Sequence, residues 1–425
     1  MFSYHLACAV LLWTFYSGHT CIISYTNTNI EVNCVAAHLT KVPANIPNAS
    51  NVTSLDLSRN HITELEADAF QRFPQLEKLN LSSSGVNKIH ENALRDLINL
   101  TTLDLSFNPV IAYDNLPIGL FEHVPTVTHL NITGKPVAGK LFLPLVNLAE
   151  LIMTASSNTI PYELVQLKKL RVLTFARGQI SNLTKNILQP FANSDIEELA
   201  LVNSGITEIE HGTFDHFASL RVLNLACNYR ANVNGILENL SGTSNLQVDT
   251  LILDLVGVDL HLPVVVGWSR NGSCPKVWRS LKKLSARGIN LFDVHDIKCL
   301  RSIKMVSFGF NSPIIGTIYD DSFGVEYLDI SFLFVHDIYS ARQRCRDAWV
   351  PSNGDFFPAE RPEWRPSSSS SKPLFETASH QDVPESCGKV IIPVNLTYFK
   401  SDHLAHKLWQ NRKCCAILMT IMCDT

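Results

Sequence analysis

From Val52 onward the apolar positions fall into one recurring phase, L-x-x-L-x-L-x-x-N-x-L. It opens as Val52-x-x-Leu55-x-Leu57-x-x-Asn60-x-Ile62, continues with Leu76-x-x-Leu79-x-Leu81, and returns as Leu100-x-x-Leu103-x-Leu105-x-x-Asn108-x-Val110. Further starts at Val127, Leu148, Leu170, Ile196, Leu220, Val248, Leu281, Ile303 and Val325 bring the repeats to twelve, spaced 21 to 33 residues apart. Alternation with a period of two predicts a short strand in each repeat, its leucines inward and the residue between them outward. A helical protein would not keep Leu-x-Leu pairs at one phase through twelve windows.

The later asparagine must turn the chain off the strand, and its amide can satisfy backbone groups that a buried turn would leave unpaired. Asn60, Asn108, Asn228 and Asn311 hold that place, with Ser84, Ser156 and Ser204 as shorter substitutes. Lys135, Gly178, Val256, Ile289 and Leu333 mark weak repeats. Six residues before the next start, Phe70, Leu94, Phe121, Phe142, Leu164, Phe214 and Ile297 predict a spine on the far side of the core. Repeats this small share one interior only when stacked, which lines their strands into a parallel sheet. The predicted fold is an α/β leucine-rich-repeat solenoid, a horseshoe with its parallel sheet on the concave face, over residues 52–340.

The flanks change the picture from fold to compartment. Residues 1–20 read as a signal peptide: Leu6–Tyr16 is apolar but too short to cross a bilayer, and Gly18 and Thr20 suit cleavage before Cys21. Nine N-x-S/T sequons agree with export, at Asn48, Asn51, Asn80, Asn99, Asn131, Asn182, Asn239, Asn271 and Asn395. Removing the leader takes Cys8 and leaves ten of eleven cysteines, an even number suited to an oxidising compartment. Residues 341–386 read as a Pro/Ser-rich linker, including Arg365-Pro366 and five serines. Residues 387–425 form a tail with Cys387, Cys414, Cys415 and Cys423, in which apolar Ala416–Met422 is too short to span a membrane. The expected localisation is secreted, and membrane-bound only for an incomplete chain.

A net charge of −4 argues against binding nucleic-acid backbones, which needs a basic face. No phosphate loop, nucleophile elbow, dinucleotide fingerprint or paired-histidine zinc helix occurs, so neither an enzyme nor a cofactor is expected. His403-x-x-His406 with Cys414 and Cys415 matches no zinc spacing and reads as incidental.

Cys21 and Cys34 precede Leu39-x-x-Val42-Pro43-x-x-Ile46-Pro47, directly before the first repeat. Residues 21–51 so arranged resemble the N-terminal cap of extracellular leucine-rich-repeat proteins, and that resemblance implies a Cys21–Cys34 disulfide. Together with the irregular repeats 52–75 and 196–219 and the long repeats 220–247 and 248–280, residues 21–335 resemble the ectodomain of a Toll-like receptor. The resemblance implies innate immune recognition of microbial or protein ligands, dimerisation or a receptor co-partner, and signalling through a cytoplasmic domain. With no membrane span or signalling domain in view, the expectation is a ligand-recognition scaffold, a soluble or decoy form or part of a receptor. An adhesive or matrix-organising protein is the alternative.

Two regions are candidates for binding. In the middle of the array the outward positions turn apolar, at Ile152, Val172, Ala176, Ala200, Val202, Val222, Ala226 and Ile252, and an exposed apolar patch on a secreted protein marks an interaction site. The extra residues of 228–247 and 257–280 should leave the solenoid as loops. Cys274 in the second stretch can pair with Cys299 of the next repeat, although sequence alone leaves the connectivity open. Asn80 and Asn131, if glycosylated, would place sugars on the concave face.

Overall fold

The structure is a computed structural model that describes residues 21–25, 29–112, 116–155, 160–192, 194–242, 246–257, 264–267, 273–289, 291–295, 299–308, 327–329 and 391–393. The leader, the linker and nearly all of the tail lie outside these residues, as do Asn271, Asn395, Ile297, Asn311, Leu333 and the His403/His406 pair.

Each repeat contributes one strand of three to five residues: Val52–Asp56, Lys78–Asn80, Thr102–Asp104, His129–Asn131, Glu150–Met153, Val172–Ala176, Glu198–Val202, Val222–Asn224, Thr250–Ile252, Lys283–Ser285, Met305–Ser307 and Tyr327–Asp329. The parallel leucine-rich-repeat sheet expected from the sequence is what the structure shows. Register follows the motif: Leu55 pairs with Leu79, Leu79 with Leu103, Leu103 with Leu130, Leu130 with Leu151, and Leu151 with Leu173. Separately, within the later repeats, Leu223 pairs with Leu251, Leu251 with Leu284, Leu284 with Val306 and Val306 with Leu328. A slip of one residue would turn every leucine of a repeat to the solvent, so burial itself fixes the pairing.

Two compact parts divide the chain, one running to Ile180 with Gln189–Leu199, the other comprising Ser181–Leu188 and Ala200 onward. In the first part, Ile22–Tyr25 pairs antiparallel with Ile30–Asn33, which runs parallel to Val52–Asp56 and extends the sheet over the first repeat. Cys21 is bonded to Cys34. Phe70, Leu94, Phe121, Phe142 and Leu164 are buried as the predicted spine, joined by Phe191, which the six-residue rule does not select.

In the second part Phe214 takes the spine position, and Trp278 is the largest side chain fully enclosed. The extra residues of the long repeats do not leave as loops throughout. Val233–Gly242 is a helix that buries Val233, Ile236, Leu237 and Leu240, and Lys276–Ser280 is a second, with Val277 and Trp278 inward. The physical reason is visible in the spacing: these four apolar residues recur at i, i+3, i+4 and i+7, one face of a helix. Trp278 donates its indole N–H to the Ser241 hydroxyl at 2.8 Å, joining the two helices. Cys274 is bonded to Cys299.

The asparagine position closes each turn by a fixed set of bonds. Asn108 donates to the carbonyls of Leu81 and Leu105 at 2.8 Å and accepts the N–H groups of Ser84 and Val86 at 3.0 Å. Asn228 does the same with Leu201, Leu225, Ser204 and Ile206. Asn60 ties the first repeat to the cap, donating to Cys34 and Leu57 and accepting from Leu39. Serine suffices at Ser84 because its hydroxyl reaches the Leu57 carbonyl while its N–H is taken by the next asparagine. Where Val256 and Ile289 break the ladder, another device stands in. Asp254, buried, accepts two bonds from the Arg287 guanidinium at 2.6 and 2.7 Å, and others from the Ser285 hydroxyl and the Arg287 N–H.

One residue earlier, the backbone is left-handed in eight repeats. Arg59, Ser83, Phe107, Arg177, Asn203, Cys227, Leu255 and Gly288 have φ between 50° and 65°. Only one of them is glycine.

Candidate functional site

A binding protein with this fold has to use the side chains that face away from the core, because the inward leucines are consumed by packing. In the first part the outward column begins Asp56, Asn80, Asp104, Asn131, and the structure gives it an internal order. Each side-chain oxygen accepts the N–H two residues ahead, from Ser58, Ser82, Ser106 and Thr133, at 2.8 to 3.1 Å. Between repeats the amides meet the acids: Asn80 donates to Asp56 and Asn131 donates to Asp104, both at 3.1 Å. This column is committed to holding the sheet edge.

Burial holds the Asp104 carboxyl above its ordinary pKa, against the opposing bonds from Ser106 and Asn131, and the Asp56 carboxylate adds to the upward push. A raised native value means that the folded chain binds more protons than the unfolded one through that window. Stability from this group is therefore present at low pH and lost as pH rises past it. Replacing Asp104 by Asn removes the titration. Relative to the native chain, the variant's unfolding midpoint is expected to shift upward as the pH is raised through the carboxylate range, as followed by urea titration at several pH values. A difference that stays flat, or runs the other way, would contradict this.

Beside that column lies a row free for contact. Lys78 and His129 are exposed and Glu150 and Val172 half-buried along it, while half-buried Ile152 pairs with Asn131 and continues the column itself. His129 lies 3.7 Å from Glu150, and Arg171 reaches Asp195 and Glu197 at 3.5 and 3.7 Å. The Arg177 guanidinium sits 4.8 Å from the centre of the Phe107 ring, a cation–π contact that the repeat pattern gives no sign of. These charged and apolar groups together make a surface of mixed chemistry, suited to a polar partner with apolar patches.

The expected apolar patch is corrected by the structure. Of its members only Ile152, Val172 and Val222 keep partial exposure, while Ala176 is buried in the first part. Ala200, Val202, Ala226 and Ile252 of the second part are at most 4% exposed and pack with Cys227 as one cluster, edged by Tyr229 and Met305. Side-chain parity on a strand tells which way a residue points and not whether something lies over it.

A small crevice of about 110 Å³ is lined by Leu164, Leu167, Lys168, Phe191, Ser194 and Ile196. It is below the ~300 Å³ at which pockets begin to hold organic ligands. Among the described residues no group of three or more His, Cys, Asp and Glu is placed to hold a metal ion, and no helix is long and apolar enough to cross a membrane.

The sequons divide by surroundings. Asn48, Asn51 and Asn182 are exposed. Asn80, Asn99, Asn131 and Asn239 are half-buried, and each donates its amide to a protein acceptor. Glycopeptide mass spectrometry of the chain produced through a secretory pathway is expected to find glycan on Asn182 and on at least one of Asn48 and Asn51. Bare asparagine at all three would refute that.

Comparison with known proteins places these observations. A family model for the leucine rich repeat matches residues 50–110. The mouse CD180 antigen is 25% identical over 272 residues, 62% of this chain and 38% of the relative. Human Toll-like receptor 3 is 27% identical over 188 residues, 42% of this chain and 19% of the relative. Chicken Tsukushi is 26% identical over 196 residues, 44% of this chain and 51% of the relative. The resemblance to a Toll-like receptor ectodomain is thereby borne out, and the chain spans about half or less of each relative's length.

Proposed function

We propose that this chain is an extracellular, Toll-like-receptor-like recognition scaffold that binds a microbial or protein ligand non-covalently and performs no catalysis. The observation that carries the reading is the open row through Lys78, His129, Glu150 and Val172, with Ile152 in the column beside it. These side chains have no part in the core, and rigid paired strands hold them in place. A preformed rigid surface loses little entropy on binding, which is where affinity is usually spent. Kinship with CD180 and a Toll-like receptor favours innate recognition with a protein co-partner or a second copy of the chain. Kinship with Tsukushi supports the other reading, an organiser of extracellular protein assemblies.

The test is direct. The exported protein is immobilised and offered bacterial lipopeptides, lipopolysaccharide and extracellular-matrix extracts, with binding followed by surface plasmon resonance. Saturable binding of a microbial product that falls about ten-fold in Glu150→Lys/Ile152→Asp is expected, roughly 1.4 kcal/mol lost at the row. Binding to matrix alone selects the second reading. A ligand bound equally by the double variant removes the row from either.

A further inference from the structure

One seven-residue string occurs twice, 22 residues apart: Lys276-Val-Trp-Arg279-Ser-Leu-Lys282 and Lys298-Cys-Leu-Arg301-Ser-Ile-Lys304. Its cations stand five and two residues before, and one residue after, the repeat starts Leu281 and Ile303. The repeat itself does not require them. The same three places carry Pro47, Ser50 and Thr53 in the first repeat, and Val165, Lys168 and Arg171 in the sixth; no other repeat fills all three with cations. Residues 276–304 hold eight lysines and arginines against two aspartates, in a chain whose net charge is −4.

The second part sets these cations along one edge. Val277, Trp278, Leu281, Cys299, Leu300 and Ile303 are buried, whereas Lys276, Arg279, Lys282, Arg301 and Lys304 are exposed. Lys276 and Arg279 are three apart on the helix Lys276–Ser280 and so share one side of it. Lys304 donates its N–H to the Lys282 carbonyl at 2.8 Å, so the two lysines lead into neighbouring strands. The Cys274–Cys299 disulfide, with its Cα atoms 5.1 Å apart, ties one string to the other. Like charges set side by side on paired strands are unfavourable, and an anion between them relieves the cost. Asp249 does so for Lys282, at 3.0 Å.

We infer that the edge formed by Lys276, Arg279, Lys282, Arg301 and Lys304 binds a linear sulfated polysaccharide. The partner's chemistry follows from what surrounds the cations. The aromatic rings described in residues 273–289 and 299–308, Trp278 and Phe308, are buried, so bases would find no stacking platform. The apolar side chains of the two strings are buried as well, which leaves no wedge to enter a bilayer. What remains is charge repeated from one turn of the array to the next, a match for an extended chain bearing regular anions. Arg279 and Arg301 supply planar forks for oxyanions, and the lysines supply point charges. The inference takes the extracellular reading as its premise and leaves the ligand row of the first part untouched.

Heparin is the probe. The purified protein is expected to be retained on immobilised heparin, with affinity falling steeply as salt rises, because bound cations release the counterions of a polyanion. The fourfold variant Arg279→Gln/Lys282→Gln/Arg301→Gln/Lys304→Gln is expected to bind about ten-fold or more weakly. Lys168→Gln/Arg171→Gln, in the first part, should bind as the native chain does. Native affinity in the fourfold variant overturns the inference. A footprint on the native chain needs no variant: heparin is expected to shield Lys276, Lys282 and Lys304 from acetylation, read by mass spectrometry, while Lys168 stays reactive. Unshielded lysines overturn it too. Duplex RNA or phosphatidylserine vesicles held as tightly as heparin would show that any polyanion serves, and sulfated polysaccharide would fall as the partner. Because the fourfold variant keeps Glu150 and Ile152, a microbial ligand still bound when heparin is lost separates this edge from the row. A native chain that ignores heparin removes the edge alone and leaves the recognition reading standing.

Discussion

Replacing Asn108 by Ala is expected to cost the folded chain about 3–6 kcal/mol, enough to leave little folded protein. The side chain is buried, and its loss strands the N–H groups of Ser84 and Val86 and the carbonyls of Leu81 and Leu105 in a place without water. Each unsatisfied buried group costs about 1–3 kcal/mol, with local relaxation returning part of the sum. Asn108→Asp should be no better, since a carboxylate cannot donate to two carbonyls and adds a buried charge. The exposed Asn87, altered to Ala, serves as the control and is expected to stay within about 0.5 kcal/mol. Urea unfolding of the purified variants, or their folded yield where none can be purified, reads the difference. Equal stability of N108A and N87A would show that the ladder is replaceable by solvent.

The second large effect belongs to Arg287. Arg287→Met leaves the buried Asp254 carboxylate without its bidentate partner, and breaking a buried pair from one side costs about 3–5 kcal/mol. Adding Asp254→Asn should recover more than half of that loss. The amide carries no charge, and its oxygen can still accept from the Arg287 N–H and the Ser285 hydroxyl. A double variant no more stable than R287M would show that packing of the arginine stem, and not charge, is what matters there.

The two experiments probe one function carried by two kinds of residue, and the sequence exposes them unequally. Asparagine after Leu-x-Leu is legible because one side chain meets the donor and acceptor needs of the turn, so the same residue recurs. Asp254 with Arg287 is not: the two hold the same place in successive repeats, where others carry Ser58, Ser82, Ser106 or Ala226, so the motif gives no sign of an ion pair there. The register of the strands was readable from Leu55 to Leu328 because each repeat puts leucine or valine at the same inward place. The helix at Val233–Gly242 carried its sign in apolar spacing, and treating the surplus residues as a loop passed over it. The apolar patch was misplaced for a different reason. Pattern gives direction along a strand, whereas the burial of Val202 and Ile252 depends on packing that strand parity does not record.

The left-handed turn has a consequence for how this chain can change over time. Arg, Ser, Phe, Asn, Cys and Leu all occupy it, so the site looks indifferent to chemistry. A left-handed backbone is nonetheless hardest on side chains branched at Cβ. Valine, isoleucine and threonine are therefore barred from a position that tolerates a cation, a thiol and an aromatic ring alike. Mutational drift there passes through a sieve set by shape alone, one that no hydropathy profile would disclose.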